Sequence, residues 1–127
     1  MNQIYLDNAA TTKPDSQVVQ AMLPFFTDEY GNPSSIHSKG RIAKKALDSA
    51  RSIIANKLNA DSQEIIFCSG GTEADNHAIL STIDKLKDKG NHIITSKFEH
   101  PGVLKTCQVL ETKGFKITYL DITKEGI

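Results

Sequence analysis

The chain has 127 residues, with 15 Lys+Arg against 15 Asp+Glu, 39% hydrophobic and 24% charged. This is enough chain for one domain with a core, and too apolar for a disordered segment. The balanced charge and the lack of a basic stripe give no reason to expect a nucleic-acid partner, and no run reaches the length of a membrane span. Two cysteines, Cys68 and Cys107, are too few for a disulfide framework and lack metal-ligand spacing. Met1-Asn2-Gln3 opens no basic-then-apolar leader, so the reading is cytoplasmic.

In chain order, Ile4-Tyr5-Leu6 predicts a short strand, and 7–14 a small, polar, Pro-ended loop. A helix follows with Asp15 or Ser16 as cap. Val18, Val19, Met22, Phe25 and Phe26 form its apolar face, and Pro24 should kink or end it. Tyr30-Gly31-Asn32-Pro33-Ser34-Ser35 is a cluster of turn residues. A long helix is predicted over 38–58. Its apolar face runs through Ala43, Leu47, Ala50, Ile54 and Leu58, with Arg41, Lys44, Lys45, Asp48 and Arg51 toward water, and Asn59-Ala60-Asp61 ends it.

From Glu64 onward the pattern is regular. A strand at 65–67 leads into a helix over 73–87 stopped by Gly90. A strand at 92–95 leads into a helix opened by Pro101 and ended by Gly114, and a last strand covers 115–120. This βαβαβ order predicts an α/β fold with a mostly parallel sheet.

The stretch most suggestive of chemistry is Ser69-Gly70-Gly71-Thr72, between the strand at 65–67 and the next helix. Glycines leave backbone N–H groups uncovered by side chains, and a helix start offers unpaired donors and a positive dipole end. Together they make an anion cradle suited to a phosphate. No dinucleotide fingerprint and no triphosphate-loop Lys-Ser/Thr pair is present. The bland alternative is a glycine turn before a helix capped by a Thr72–Asp75 box, and local physics leaves the two readings level.

Four segments together carry a resemblance. They are Tyr5-Leu6-Asp7-Asn8-Ala9-Ala10-Thr11-Thr12, Gly31-Asn32-Pro33-Ser34-Ser35-Ile36-His37, Ser69-Gly70-Gly71-Thr72-Glu73-Ala74-Asp75-Asn76, and Glu99-His100-Pro101-Gly102-Val103-Leu104. In this order they resemble the N-terminal part of cysteine desulfurases of the NifS/IscS type, which are class-V aminotransferase-like enzymes using pyridoxal phosphate. The resemblance implies the start of a three-layer PLP-transferase type I large domain over 15–127, incomplete, preceded by an N-terminal arm over 1–14.

It also implies residue roles. Gly71 and Thr72 would grip the cofactor phosphate, and His100 would stack on the pyridine ring and move protons. Imidazole chemistry allows that, although a lone His with no visible partner otherwise reads as an exposed loop residue. Asn8, Ala9 and Thr11 would lie near substrate, and otherwise form a turn of small residues. His37 belongs equally to an interface loop or to a helix start. Cys107 reads as core and Cys68 as a small filler; neither matches the family's sulfur-accepting cysteine. Lys97 and Lys105 do not match the Schiff-base lysine.

The implied activity converts L-cysteine to L-alanine and passes sulfur to an enzyme cysteine for Fe-S cluster or thio-cofactor assembly. The full-length form would be a homodimer with a sulfur-acceptor or scaffold partner. The covalent lysine and the sulfur-accepting cysteine of the family fall beyond residue 127, so the isolated chain is expected to be inactive. The alternative is a non-catalytic phosphate-binding or dimerisation α/β module.

Overall fold

The computed structural model describes residues 4–126, so the reading of Met1-Asn2-Gln3 as lacking a leader lies outside the described residues. The chain divides between Ile66 and Phe67 into two compact units.

In the first unit, α1 (Ser16–Met22) starts at Asp15, whose carboxylate accepts from Gln17 N–H at 2.7 Å. This meets one of the N–H donors that a helix start leaves without an internal acceptor. Pro24 cannot continue the ladder, and it opens a separate short helix, α2 (Pro24–Thr27). The long helix α3 (Ser38–Leu58) ends where Asn59 turns left-handed at φ 54°. Ala60 N–H returns to Ala55 O and Asn59 N–H to Asn56 O, which closes the helix end in a Schellman motif.

The Gly31–Ser35 loop lies tightly on the start of α3. A Cβ on Gly40 would fall 2.8 Å from Asn32 O and overlap Ser35 O, and one on Gly31 would fall 2.8 Å from Lys39 O. Backbone meets backbone at both places, so only glycine fits. Lys39 adds a hydrogen bond from Nζ to Asp28 O and lies over the Tyr30 ring at 5.3 Å. Further along, α3 packs against a 3₁₀ turn, Ser62–Glu64, closed by a capping box between Asp61 and Glu64.

In the second unit, α4 (Gly71–Leu86) leads to β1 (His92–Ser96), α5 (Pro101–Thr112) and β2 (Lys116–Leu120). The strands pair in parallel, with His92 opposite Lys116 and Ser96 opposite Leu120. The face bearing Tyr119 turns to α5, where its hydroxyl donates to Glu111 at 3.2 Å. The core is one stripe of α5: Thr106, Cys107 and Leu110 are buried. Gly114, at φ 90°, closes α5 in a second Schellman motif, with Phe115 N–H on Leu110 O and Gly114 N–H on Glu111 O.

The structure corrects the sequence reading in four places. Residues 4–6 form no strand; Tyr5 donates its hydroxyl to Asp7 O, and the chain turns at Asp7. The segment 65–67 joins no sheet among the described residues, though Ile65 is extended at φ −94° and ψ 118°. A strand is a property of a pair, and the described residues put no third strand beside β1 and β2. Finally, α4 begins two residues earlier than expected and ends at Leu86, so Gly90 does not stop it. Among the described residues no helix is long and apolar enough to cross a membrane.

Replacing Gly40 by Ala should destabilise the chain by roughly 1–3 kcal/mol, the usual cost of forcing atoms into a packed site. Gly90→Ala is the control, because a Cβ there meets nothing within 4 Å. Denaturant titration should show a lowered midpoint for G40A and none for G90A; equal midpoints would disprove the close-packing argument.

Candidate functional site

The start of α4 is open. Its N-cap is Gly70, which supplies no side-chain cap. The first-turn N–H groups of Gly71, Thr72 and Glu73 have no acceptor within their own helix. A Cβ on Gly70 or Gly71 would meet no atom within 4 Å, so neither glycine is forced by crowding, and the space beside this end is clear. The expected Thr72–Asp75 capping box does not form, because Gly71 is already helical and Thr72 is the second residue of α4.

The residue before the N-cap makes a different contact instead. Ser69 donates both its N–H and its hydroxyl to Glu73 Oε2, each at 2.6 Å. These two bonds, helped by His77, hold the Glu73 carboxyl below the usual carboxylate range. Glu73 thus stays ionised in the first turn, with its charge drawn back toward the preceding loop.

His100 is the N-cap of α5. Its Nδ1 accepts from Gly102 N–H at 3.0 Å, and Pro101 at the first helical position has no N–H to satisfy. Since Nδ1 is an acceptor, the proton of the neutral ring sits on Nε2. Thr72 and His100 flank one residue: a Cβ built on Gly102 would lie 3.1 Å from His100 Nδ1 and 3.4 Å from Thr72 Cγ2. The structure therefore brings Gly71, Thr72 and His100 to two adjoining helix starts.

Sequence reasoning did not single out Asn76, Gly102 or Thr106. Asn76 donates its amide to Thr72 O at 2.7 Å and accepts from Thr106 Oγ1 at 2.5 Å; the same hydroxyl lies 2.8 Å from Gly102 O. The 72/76 spacing is one helical turn and could have signalled the first bond. The partner 30 residues on leaves no local mark.

Other candidates fall elsewhere. His37 caps α3, its Nδ1 accepting from Gly40 N–H at 3.3 Å. Asn8, Ala9 and Thr11 lie in the exposed stretch that turns at Asp7. Lys97 is paired with Asp121 at 2.6 Å, and Lys105 lines a groove of about 270 Å³ between α4 and α5. Cys68 is half-buried. Cys107 is 1% exposed, and burial, then Glu111 and Glu99, push its thiol up, as suits a core residue. Among the described residues no cluster of His, Cys, Asp and Glu could hold a metal ion.

The family model for class-V aminotransferases matches residues 4–127. The chain belongs to that family. The Bacillus subtilis protein IscS 1 is 56% identical over 126 residues, covering 99% of this chain and 33% of the relative. A cysteine desulfurase IscS of Clostridium botulinum is 51% identical over 124 residues, covering 98% and 31%. Among solved structures, a NifS-like protein matches with TM-score 0.85 and 36% identity over 91% of this chain and 32% of its own. SspA in complex with cysteine matches with TM-score 0.81 and 41% identity, over 88% and 32%. The chain therefore spans about a third of the length of these relatives. The fold class is the expected α/β one of NifS-like proteins, here with a parallel pair of strands.

Removing the Ser69 hydroxyl tests its contact with Glu73. In Ser69→Ala the Glu73 carboxyl should titrate nearer its ordinary range when followed by NMR. A group whose folded pKa is lowered adds stability above its unfolded pKa, and that stability is lost as pH falls through the folded value. The parent's stability advantage over the variant should therefore be present above the ordinary carboxylate range and vanish as pH falls through the parent's lowered Glu73 pKa. An unchanged Glu73 titration would show that the hydroxyl does not set it.

Proposed function

We propose that this chain provides the phosphate- and ring-binding part of a pyridoxal-phosphate-dependent cysteine desulfurase. The observation that carries the proposal is the meeting of Thr72 and His100 at Gly102, beside the uncapped start of α4. The residues fit the cofactor's phosphate: free helical N–H groups, the positive dipole end, a hydroxyl at Thr72 and clear space are what an anion requires.

When bound, pyridoxal phosphate supplies an electron sink for chemistry at the α-carbon of an amino acid. Gly71 N–H and the Thr72 hydroxyl hold the phosphate. His100 has its Nδ1 tied to Gly102 N–H, which orients the ring and leaves Nε2–H as the donor it offers; taking up a proton at Nδ1 requires giving up the Gly102 bond. Glu73 stays engaged by Ser69 and leaves the first-turn donors to the incoming anion. The substrate in this reading is L-cysteine, which agrees with the cysteine complex of the related SspA.

Residues 15–127 belong to the cofactor-binding large domain and 1–14 to an arm near the active site. The working enzyme is a cytoplasmic homodimer that hands sulfur to an acceptor protein for Fe-S cluster or thio-cofactor assembly. Its lysine and its sulfur-accepting cysteine belong to the part of the relatives that this chain does not span.

Titration of the chain with pyridoxal phosphate tests the phosphate site. Thr72→Val removes one hydrogen bond to a charged group, worth roughly 1.5–3 kcal/mol, so affinity should fall at least tenfold; unchanged affinity sinks the assignment. A second measurement concerns the chemistry. The purified chain with L-cysteine and pyridoxal phosphate should release no sulfide, because Cys107 is buried with a raised thiol pKa and catalysis needs a thiolate. Sulfide release would place the chemistry within this chain.

A further inference from the structure

We propose that Asn76 and Thr106 are positioning residues, whose shared hydrogen bond locks the first turns of α4 and α5 in one register and so holds Thr72 and His100 at a common site. The tie itself stands on geometry; its consequence for the cofactor rests on the reading above.

Thr106 is a buried polar residue, 7% exposed. Its hydroxyl has one proton and two acceptors in reach, Asn76 Oδ1 at 2.5 Å and Gly102 O at 2.8 Å. The amide orientation of Asn76 follows from its other partner. Nδ2 donates to Thr72 O at 2.7 Å, and the reversed amide would set two acceptors against each other. The result is a link from Thr72 O through the Asn76 amide to the Thr106 hydroxyl, whose single proton is shared between Asn76 Oδ1 and Gly102 O. Both carbonyls belong to the second residue of a helix, α4 for Thr72 and α5 for Gly102.

The apolar lining of this contact fixes register less strictly. Leu80 and Val109 also line the groove, but they are 42% and 52% exposed. Apolar burial is non-directional and tolerates a slide of one helix along the other. Hydrogen bonds weaken steeply with distance and angle, so the Asn76–Thr106 bond does not tolerate it. Sliding α5 would carry Gly102 away from Thr72, and with it the His100 ring that caps Gly102 N–H.

The test uses the whole chain and two readouts. The first is the NMR cross-peak between the Thr72 methyl and the Gly102 α-protons, which reports the register directly. The second is affinity for pyridoxal phosphate. Thr106→Val keeps size and removes the hydroxyl. It should keep the helical circular dichroism, lose the cross-peak and weaken pyridoxal phosphate binding about tenfold, the scale of one hydrogen bond. Thr106→Ser should restore both. Asn76→Ala, at a half-buried position, should reproduce the loss and serves if Thr106→Val does not fold. A cross-peak that persists in a folded Thr106→Val or Asn76→Ala variant overturns the proposal. A parent chain that binds no pyridoxal phosphate, but loses the cross-peak in the variants, upholds the tie and rejects the cofactor reading.

Discussion

Every helix begins with N–H groups that its own turns cannot satisfy. How each start meets that demand decides where this chain can bind anything. Of the three long helices, α3 and α5 use the same device, a histidine whose Nδ1 accepts from a glycine N–H in the first turn. The third, α4, starts at Gly70 with no side-chain cap. Its first-turn donors have no side-chain acceptor, and the anion proposed above would complete the pattern. The contrast between capped and uncapped starts says more than the glycines do, since a Cβ at Gly70 or Gly71 would meet no neighbour.

The two histidine caps are chemically alike and differ in what surrounds them. His37 caps α3 through Gly40, which is buried under the Asn32–Ser35 turn, and a Cβ there would strike backbone. That cap therefore belongs to a close-packed loop-and-helix joint. His100 caps α5 through Gly102, whose side opposite the helix carries Thr72. One cap secures a packed joint; the other puts an imidazole and the Thr72 side chain against the same glycine.

Legibility in the sequence tracked the range of the interactions. Caps and stops formed within a few residues were readable: Asp15, Pro24, Asn59, Pro101 and Gly114 act as their chemistry suggests. Features that need a distant partner were not. The apolar run at 65–67 has strand composition, but among the described residues it joins no sheet, and Ile66 is 63% exposed. Thr72 and Asp75 fit a box by spacing, but α4 already begins at Gly71, and Glu73 turns back to Ser69. The meeting of Thr72 and His100 at Gly102, and the Asn76–Thr106 bond beside it, depend on how α4 meets α5 and have no local signature.

Glu73 is the feature that most resists an anion site, since a carboxylate in the first turn competes for the same positive dipole end. Both Ser69 donors converge on one carboxylate oxygen, which engages the Glu73 side chain with the loop before α4 while its charge is kept. Had Glu73 capped Gly71 or Thr72 directly, the helix would be self-satisfied and closed to ligands. With its carboxylate anchored on Ser69 instead, the acidic residue stiffens the loop before α4 while the N–H groups of Gly71 and Thr72 stay available. In the proposed phosphate site, a residue that looks hostile to the anion is thus turned to holding the loop beside it.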